Sequence, residues 1–476
     1  MKNTKNTKSM KIAIIGAGSV VFSKNVISDL LSHDALKDCT LALMDVNAER
    51  LGVAAAMARS ISATRGAAAR VQACRDRKKA LEGADFIINT IGVGGLPATK
   101  VDLLLPQRFG LKQTIGDTLG IGGIFRSLRS IPVVLDLCRD AEELCPHATL
   151  INYVNPMATH TLAIQRASKI RSVGLCHGVQ ATRGRMIALV RLAEMSKAER
   201  RAILKNYRPE EDTVPRWIEM CHDCFFDESV ETLAAGINHM AAFLVFSENG
   251  KDLYPALRQA VQMPEIWNLV ETTRMDLFKR LGYYFTETSG HISEYLPWFL
   301  RSDEEIRRLN LRPNCYLGTC ANQDALFRSY QKRAAAGEPF IRPDEPVSLE
   351  YSTHIINAMT TNQPYVFNGN MENRNGSLIT NLPAYGCVEV PCVADRTGLH
   401  PATVGALPPQ VAAMISTNMS VQELVVRAVL EEKKEYVYHA AMMDPNTGSS
   451  LTLPQIWKLV DEMIRAHGSG LPRFAR

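Results

Sequence analysis

Cysteine and histidine side chains occur in two stretches of this chain that are far apart in the sequence. Cys176 and His177 follow an apolar run, and His239 ends a Gly-Ile-Asn-His run downstream. The thiolate of Cys176 and the ring of His239 are donors suited to a divalent transition metal. Two protein ligands leave positions for water and a substrate diol, so the metal would act as a Lewis acid on substrate oxygens. A nucleophilic role for Cys176 would need a base beside it, and the adjacent His177 points away on an extended backbone.

The start of the chain carries the pattern of a dinucleotide-binding βαβ unit. A short apolar run ends in a turn that contains Gly16, Gly18 and Ser19, and apolar residues at helical spacing follow. The glycines let the backbone approach a pyrophosphate, and the helix N-terminus offers N–H groups. A second apolar run ends at Asp45, whose carboxylate would contact a ribose diol and repel a 2′-phosphate. We therefore expect NAD rather than NADP; because Val21 replaces the third glycine, a tight turn without cofactor is the alternative.

Three further apolar runs predict buried strands. They are Phe86–Ile91, Thr149–Tyr153 and Val173–Leu175. The residues that follow them include Gly92, Asn155 and Cys176, respectively. Ligands of open parallel sheets bind outside the carboxyl ends of the strands, so we expect a site at this edge.

Two polar stretches contain further groups that could act on a ligand. The Gly- and Thr-rich run 113–123 contains Asp117 and precedes a predicted helix that opens with Arg126. This pattern indicates a mobile loop over a polar ligand, or a plain loop-to-helix junction. The other stretch contains Glu287 and His291 and precedes a Pro-Trp pair that could stack on a sugar face. An ordinary polar helix start is the alternative for that stretch.

The composition is ordinary for a globular enzyme, with 46% hydrophobic and 22% charged residues among 476. The net charge of +5 is spread along the chain without a basic stripe, so we expect no nucleic-acid partner. No apolar run approaches the roughly 18 residues of a membrane span, and the polar start lacks a signal-peptide core. These features predict a cytoplasmic protein that does not bind membranes.

The chain has 11 cysteines at scattered spacing, which does not fit a secreted disulfide framework. We expect reduced, mostly buried thiols. A structural zinc site built from Cys221, Cys224, Cys315 and Cys320 is the alternative for those four residues.

These patterns predict an α/β protein that begins with a Rossmann-like doubly wound sheet. We expect a flexible tail over residues 1–10, an NAD-binding domain over 11–195 and a C-terminal α+β substrate-binding domain over 196–476. A charged segment near 196–221 indicates a surface helix and linker at the boundary.

The chain resembles the NAD- and divalent-metal-dependent glycosidases of glycoside hydrolase family 4, and most closely their α-galactosidase branch. The likeness runs from Lys11 to about Leu471. It rests on separated blocks, namely Gly16–Ser19, Met44–Asp45, Asp117–Gly120, Asn152–Met157, Gly174–His177, Ala235–Met240, Thr286–Glu287 with His291 and Glu294–Tyr295, Asn381–Pro383 with Val388–Val390, and Tyr438–Pro445.

The resemblance implies a lactate/malate dehydrogenase-like fold whose C-terminal domain also serves oligomerisation, in a homodimer or homotetramer. It implies NAD and Mn²⁺ as cofactors, and Co²⁺ or Ni²⁺ would also suit the ligands. The implied reaction is hydrolysis of a small glycoside by oxidation at C3, removal of the C2 proton, elimination of the aglycone, water addition and re-reduction. Family 4 is an exception to the usual pair of catalytic carboxylates.

The resemblance also assigns roles to individual residues. Cys176 and His239 would bind the metal, and His177 occupies the position of the general acid. The base that takes the C2 proton would be Tyr284 or Glu287. The remaining assignments are the cofactor contacts Gly16, Gly18, Ser19, Asp45, Gly92 and Asn152, and the substrate contacts Asn155, Asp117, Arg126 and His291.

The sugar is less clearly indicated than the reaction. Branches that act on 6-phospho-sugars carry Asn or Asp after the cysteine, so His177 points to an unphosphorylated α-galactoside. Gly178 after His177 also occurs in α-glucosidases and α-glucuronidases, which are the near alternatives. A uronate would need a cation at its carboxylate, and the loop near Arg126 could supply one. Remote alternatives are an NAD-dependent 2-hydroxy acid dehydrogenase and a non-catalytic NAD sensor.

Overall fold

The computed structural model describes residues 9–204, 215–225, 227–267, 271–348 and 350–474. The strands are β1 (Lys11–Ile15), β2 (Thr40–Met44), β3 (Arg70–Cys74), β4 (Phe86–Asn89), β5 (Thr149–Asn152), β6 (Arg171–Gly174), β7 (Val230–Ala235), β8 (Ala242–Glu248), β9 (Lys251–Asp252), β10 (Tyr365–Glu372), β11 (Cys387–Asp395) and β12 (Gly398–Pro401). The α-helices are α1 (Val20–Leu30), α2 (Ala48–Thr64), α3 (Arg77–Leu81), α4 (Gly95–Gln107), α5 (Gly120–Leu144), α6 (Met157–Ala167), α7 (Gly178–Glu194), α8 (Lys197–Ile203), α9 (Pro215–Phe225), α10 (Tyr254–Ala260), α11 (Pro264–Trp267), α12 (Thr272–Leu281), α13 (Ser289–Tyr295), α14 (Asp303–Arg308), α15 (Cys315–Ala336), α16 (Tyr351–Thr361), α17 (Pro409–Leu430), α18 (Glu435–Met443), α19 (Pro445–Ser450) and α20 (Leu453–His467).

The first six strands form a parallel sheet in the order β3-β2-β1-β4-β5-β6. The central strand β1 is buried on both faces. Ile12 and Ile14 pack in the same core cluster as Ile27 of α1, whereas Ala13 and Ile15 pack in a cluster on the other face. Helices therefore cover both faces, which explains the unbroken apolar runs of the sequence. The predicted Rossmann-like doubly wound sheet is confirmed.

The three predicted strands that were expected to lead into the site are present as β4, β5 and β6. Each ends one or two residues earlier than its apolar run. Because the three strands are parallel neighbours, their carboxyl ends meet at one edge of the sheet. There the side-chain amide of Asn89 donates to Asn152 at 3.0 Å. The residues that follow β5 and β6, including Asn155 and Cys176, are thereby brought to this edge.

The second half of the chain extends the same sheet. β10 runs antiparallel beside β6, and β11 and β12 follow as further antiparallel strands, which gives nine strands in the described residues. β7, β8 and β9 form a second, antiparallel sheet. A bridge between Gly236 and Glu389 ties the end of β7 to β11. The sheet thus joins strands from both sides of residue 195, and the domain boundary there stays a prediction.

The glycine-rich run 113–123 leads directly into a helix, as in the alternative of a loop-to-helix junction. Helix α5 begins at Gly120, so the last four residues of the run are its first turn. The carboxylate of Glu294 accepts the backbone N–H groups of Thr114, Ile115 and Gly116 at 2.8–3.1 Å. This buried anchor holds the loop against α13, which no local sequence signal reveals.

Two predicted segments lie partly outside the described residues. In the charged segment near 196–221, α8 begins with a capping box formed by Ser196 and Glu199, whereas 205–214 are outside the described residues. Of the predicted tail, 1–8 are outside them as well. Among the helices that can be described, none combines the length and apolarity required to cross a lipid bilayer.

Candidate active site

Cys176, His239 and Glu287 form a cluster in which atoms able to bind a metal face one another. Sγ of Cys176 lies 3.3 Å from Nε2 of His239 and 3.5 Å from Oε1 of Glu287. Nε2 of His239 lies 3.6 Å from the same Oε1. Within the described part of the chain this is the only group of three or more such side chains whose ligand atoms all lie within 4.8 Å of one another. The structure therefore adds Glu287 to the predicted pair.

Three separate elements present the cluster. Cys176 follows β6, and the N–H of Gly178 at the start of α7 donates to its sulfur at 3.3 Å. His239 lies between β7 and β8 with φ of 66°, and Glu287 precedes α13 with φ of 71°. Left-handed backbone at a residue other than glycine costs about 1–2 kcal/mol. Two such residues in one cluster are typical of a functional site.

Neighbouring groups fix the orientation of two cluster members. The Tyr295 hydroxyl lies 3.0 Å from Nδ1 of His239, which leaves Nε2 for the cluster. Backbone and side-chain hydrogen bonds join Thr286 to Ala241 at 2.8 and 3.1 Å, so the segment that carries Glu287 is held against β8.

The three side chains fit a single metal ion. Metal bonds of about 2.0–2.3 Å to thiolate, imidazole and carboxylate, at angles of about 90–110°, separate the donor atoms by about 2.8–3.8 Å. The observed separations are 3.3, 3.5 and 3.6 Å. Thiolate, imidazole and carboxylate together suit a divalent transition metal such as Mn²⁺, Co²⁺ or Ni²⁺.

Burial favours the neutral forms of both predicted ligands. It raises the pKa of the Cys176 thiol well above its usual range, and the charges of Glu287 and Glu389 add to this effect. It lowers the pKa of His239 to about 4. A neutral imidazole is the form that binds a metal, whereas the thiol has to release its proton when the metal binds.

His291 connects the cluster to a second carboxylate. Its Nδ1 lies 3.2 Å from Oε2 of Glu287, and its Nε2 lies 3.5 Å from Oδ1 of Asp117. Burial opposes ionisation of His291, but the two carboxylates outweigh it and hold the pKa of His291 well above its usual range. The side chain of Asn155 donates to Oδ2 of Asp117 at 3.2 Å. Asp117, Asn155 and His291 thus form a row of hydrogen-bonding groups beside the cluster.

His177 stands at the edge of this site. Its Nδ1 lies 3.6 Å from Oε1 of Glu350, and its side chain is 52% exposed. The nearby carboxylate of Glu350 raises the pKa of His177, against the effect of burial.

The cluster and the polar groups beside it line one cavity of about 700 Å³. The site residues on its wall are Asp117, Asn155, Cys176, His177, His239, Glu287 and His291. A volume of this size accommodates a small organic ligand such as a disaccharide.

A second cavity, of about 540 Å³, lies at the glycine turn after β1. Its wall includes Gly16, Gly18, Ser19, Asp45 and Gly92. Asp45 accepts the N–H of Gly18 at 2.8 Å, and a Cβ on Gly18 would lie 2.5 Å from that carboxylate. The turn therefore requires glycine at 18, and with the N-terminus of α1 it forms a cradle that fits a pyrophosphate.

The two cavities adjoin each other. Their shared wall consists of Phe22, Asp117, Tyr153, Asn155 and Tyr316. A ligand in the glycine-turn cavity can therefore contact a ligand bound beside the metal cluster.

Comparison with known proteins identifies the family. A family model described as family 4 glycosyl hydrolase matches residues 11–192, and one described as its C-terminal domain matches 234–447. The chain is 38% identical to an alpha-galactosidase of Bacillus subtilis (strain 168), over 98% of this chain and 99% of that protein. It is 34% identical to an alpha-galactosidase of Rhizobium meliloti, over 98% and 90% of the two chains.

The chain belongs to family 4 of the glycosyl hydrolases. It is a glycosidase, as the resemblance predicted.

Solved structures of family 4 glycosidases share the fold. The crystal structure of lplD from Bacillus subtilis superposes with a TM-score of 0.79 at 26% identity, covering 96% of this chain and 99% of that one. A 6-phospho-alpha-glucosidase from gut microorganisms, in complex with NAD and Mn²⁺, superposes with a TM-score of 0.77 at 18% identity, covering 98% and 100%. Its two bound cofactors are those that the sequence predicts here. The predicted fold, a Rossmann half with a C-terminal domain, is confirmed.

Three residues predicted for the site of this family 4 glycosidase lie elsewhere. Tyr284 is fully buried in the core cluster of α7 and α12 and lines neither cavity. Asn152 is likewise buried, and its side-chain oxygen accepts hydrogen bonds from the Asn89 side chain and the Val154 backbone N–H. Arg126 lines the glycine-turn cavity instead of the one that holds the cluster, and donates to the Asn155 carbonyl at 3.2 Å. The arginines that line the 700 Å³ cavity, called the substrate cavity below, are Arg185 and Arg312.

The alternative of a four-cysteine zinc site is wrong. Cys221 and Cys224 lie on α9, whereas Cys315 and Cys320 lie on α15. The last two line different cavities. The described residues bring together no metal-binding group that includes any of these four cysteines.

Several residues of this family 4 site are missing from the sequence-based prediction. They are Tyr153, Arg185, Glu271, Tyr295, Tyr316 and Glu350. For Tyr153 a signal was available, because it ends a predicted strand at the expected edge. Glu350 reaches His177 only through the tertiary fold, from a segment 173 residues later in the chain (350 − 177).

Proposed function

We propose that the chain is an α-galactosidase that depends on NAD and a divalent metal, Mn²⁺ in the first place. The observation that carries this proposal is the shared wall of the two cavities. A dinucleotide cradle and a Cys-His-Glu cluster on either side of Asp117 and Asn155 suit redox chemistry on a sugar hydroxyl. The similarity to two alpha-galactosidases, at 38% and 34% identity, supports galactose as the sugar of the substrate.

When bound, NAD would remove and return a hydride at C3 of the sugar, and the metal held by Cys176 and His239 would polarise the 2- and 3-oxygens. The chain's own groups orient the sugar. Asp117 and the amide of Asn155 lie on the wall toward the dinucleotide cradle, where they can bind sugar hydroxyls.

Glu287 is the favoured base for the C2 proton. Of the two candidates it alone lines the substrate cavity, since Tyr284 is buried in the core. With Oε1 of Glu287 among the metal-binding atoms, Oε2, which faces His291, is the oxygen that would take the proton. A carboxylate that lines this cavity can take the C2 proton, which a ketone at C3 would make acidic. Burial opposes ionisation of Glu287, but the contacts with His239 and His291 outweigh burial and hold the pKa of Glu287 well below its usual range, so the base is ionised at neutral pH.

His177 is the favoured acid for the leaving group. It lines the cavity beside the cluster, and its side chain is half-exposed. Proton donation to the glycosidic oxygen would assist the elimination.

A uronide is the second candidate substrate, since Arg185 and Arg312 line the same cavity. Arg185 forms an ion pair with Glu271, and Glu271 also pairs with Arg274, so the three side chains carry one net positive charge. An alpha-galacturonidase of Bacillus subtilis is 29% identical over 92% of this chain. An α-glucoside remains the other near alternative, with an alpha-glucosidase of Erwinia rhapontici at 27% identity.

Release of p-nitrophenol from the α-galactoside, α-glucoside and α-glucuronide tests the proposal. NAD, Mn²⁺ and a thiol reductant are omitted one at a time. Galactoside cleavage that needs all three additions supports the main proposal. Preference for another glycoside would change the proposed substrate but not the proposed mechanism. Failure to cleave any of them, with NADH accumulating on a 2-hydroxy acid, would contradict a glycosidase.

A further inference from the structure

Glu350 is a buried carboxylate at the start of α16, near the hydroxyl of Tyr153. It is 7% exposed, and it lines neither of the two cavities. Its Oε1 lies 3.6 Å from Nδ1 of His177, while its buried Oε2 has no hydrogen-bond partner among the described residues. Burying a carboxylate with an unsatisfied oxygen is unfavourable for folding. The contact with His177 therefore points to a role for this carboxylate other than stabilising the fold.

The nucleotide-binding half of the chain holds Glu350 in place. Its backbone N–H donates to the Ser348 hydroxyl at 3.3 Å. The N–H of Ser348 donates to both carboxylate oxygens of Asp29, at 3.1 Å each. Asp29 is a buried residue of α1, the helix that begins at the glycine turn. Glu350 is also the N-cap residue of α16, where the positive end of the helix favours a negative charge.

His177 depends on an outside contact for a fixed orientation. It precedes α7 and its side chain is 52% exposed, so packing alone leaves several ring orientations open. With Nδ1 directed at Glu350, the opposite ring nitrogen, Nε2, is directed away from that carboxylate. Because His177 lines the substrate cavity, this is the nitrogen available to a ligand there.

We propose that Glu350 is a positioning residue that orients His177 for proton donation to the leaving group; this rests on the proposed function. In this role the carboxylate of Glu350 accepts the Nδ1–H of His177. As the bond between C1 and the glycosidic oxygen breaks, its electron pair remains on that oxygen, which takes the proton from Nε2. The ring recovers a proton from the water that adds to C1.

The leaving group distinguishes this role from a structural one. Dinitrophenolate departs without protonation, whereas an alkoxide does not. In Glu350→Gln, kcat/KM for methyl α-galactoside should fall on the order of 10–100-fold, and for 2,4-dinitrophenyl α-galactoside by less than about threefold. Glu345→Gln is the matched control: Glu345 is in the same segment but pairs with Lys24. For this variant, kcat/KM should stay within about threefold of the wild-type value on both substrates.

An equal loss on both substrates in Glu350→Gln, or no loss on either, would overturn the proposal. A second readout does not require activity. In chain labelled with ¹⁵N-histidine and free of metal and NAD, Glu350→Gln should shift the ring nitrogen signals of His177, assigned through His177→Asn. If the His177 signals do not shift in Glu350→Gln, the positioning role is overturned. This readout holds even if the wild-type chain cleaves no glycoside, a result that would count against the proposed function alone.

Discussion

The Tyr295 hydroxyl lies 3.0 Å from Nδ1 of His239, and both side chains are buried. Tyr295 belongs to α13, whereas His239 lies between β7 and β8, so the contact joins two elements. A partner on one ring nitrogen fixes the tautomer and the orientation of a histidine ligand. Tyr295 therefore determines how Nε2 of His239 faces Cys176 and Glu287.

Replacing Tyr295 by Phe should weaken Mn²⁺ binding by about 10–100-fold, the usual effect of removing a group that orients a ligand. Titration calorimetry with MnCl₂ measures the affinity. Tyr284→Phe is the control, because the Tyr284 hydroxyl is buried and has no hydrogen-bond partner in the described part of the chain. Equal affinities of the two variants would exclude this role of Tyr295.

Cys176→Ser should lower the Mn²⁺ affinity by on the order of 100-fold or more, since it removes the thiolate ligand itself. NAD binding, followed by quenching of tryptophan fluorescence, should change less than about twofold, because Cys176 does not line the glycine-turn cavity. Cys315→Ser is the matched control: Cys315 lines the same cavity outside the cluster. Mn²⁺ binding that survives Cys176→Ser would remove the cysteine from the site.

Asp45→Ser should raise the Kd for NAD about tenfold, the value of one charge-assisted hydrogen bond of about 1.4 kcal/mol. The Kd for NADP should fall relative to that for NAD, because the carboxylate no longer repels a 2′-phosphate. Asp324→Asn serves as the control, since Asp324 lines the same cavity but is paired with Arg50. An unchanged ratio of the two Kd values in Asp45→Ser would contradict the predicted ribose contact.

His160 should make the stability of the fold sensitive to acid. The ring is fully buried, contacts the Val154 carbonyl and the Ser130 hydroxyl, and burial lowers its pKa to about 4. An unfolded histidine has a pKa near 6.5, so the unfolded chain binds more protons and the free energy of unfolding falls as the pH drops. The stabilisation is complete above about pH 6.5 and is lost toward pH 4, by about 3 kcal/mol.

Urea unfolding between pH 7.5 and 4.5 measures this dependence. His160→Gln should flatten the pH profile, whereas His147→Gln, at an exposed histidine, should leave it unchanged. A profile that remains equally steep in His160→Gln would contradict the assignment.

The sequence was most informative where chemistry depends on a strand end or a tight turn. The apolar runs before Asn155 and Cys176 predict parallel strands, and the fold requires their carboxyl ends to meet. Gly18 and Asp45 are likewise predictable, because a βαβ turn brings them into contact. These placements depend on local pattern and on the rules of the parallel sheet.

Residues that reach the site through long-range packing could not be predicted in this way. Tyr284 and Glu287 lie three residues apart, yet one is buried in the core and the other faces the cavity. The left-handed backbone at Glu287 and the bonds between Thr286 and Ala241 decide this difference. Glu294 and Glu350 act on segments distant in sequence, and neither has a local signature.

Hydrolysis of an α-galactoside in D₂O, with NAD and Mn²⁺ present, tests the central claim most directly. If Glu287 removes the C2 proton and the bond breaks by elimination, the released galactose should carry deuterium at C2, detected by mass spectrometry and NMR. Glu287→Gln should abolish both cleavage and labelling. Efficient cleavage with hydrogen retained at C2 would contradict the elimination, and with it the role proposed for the joined cavities.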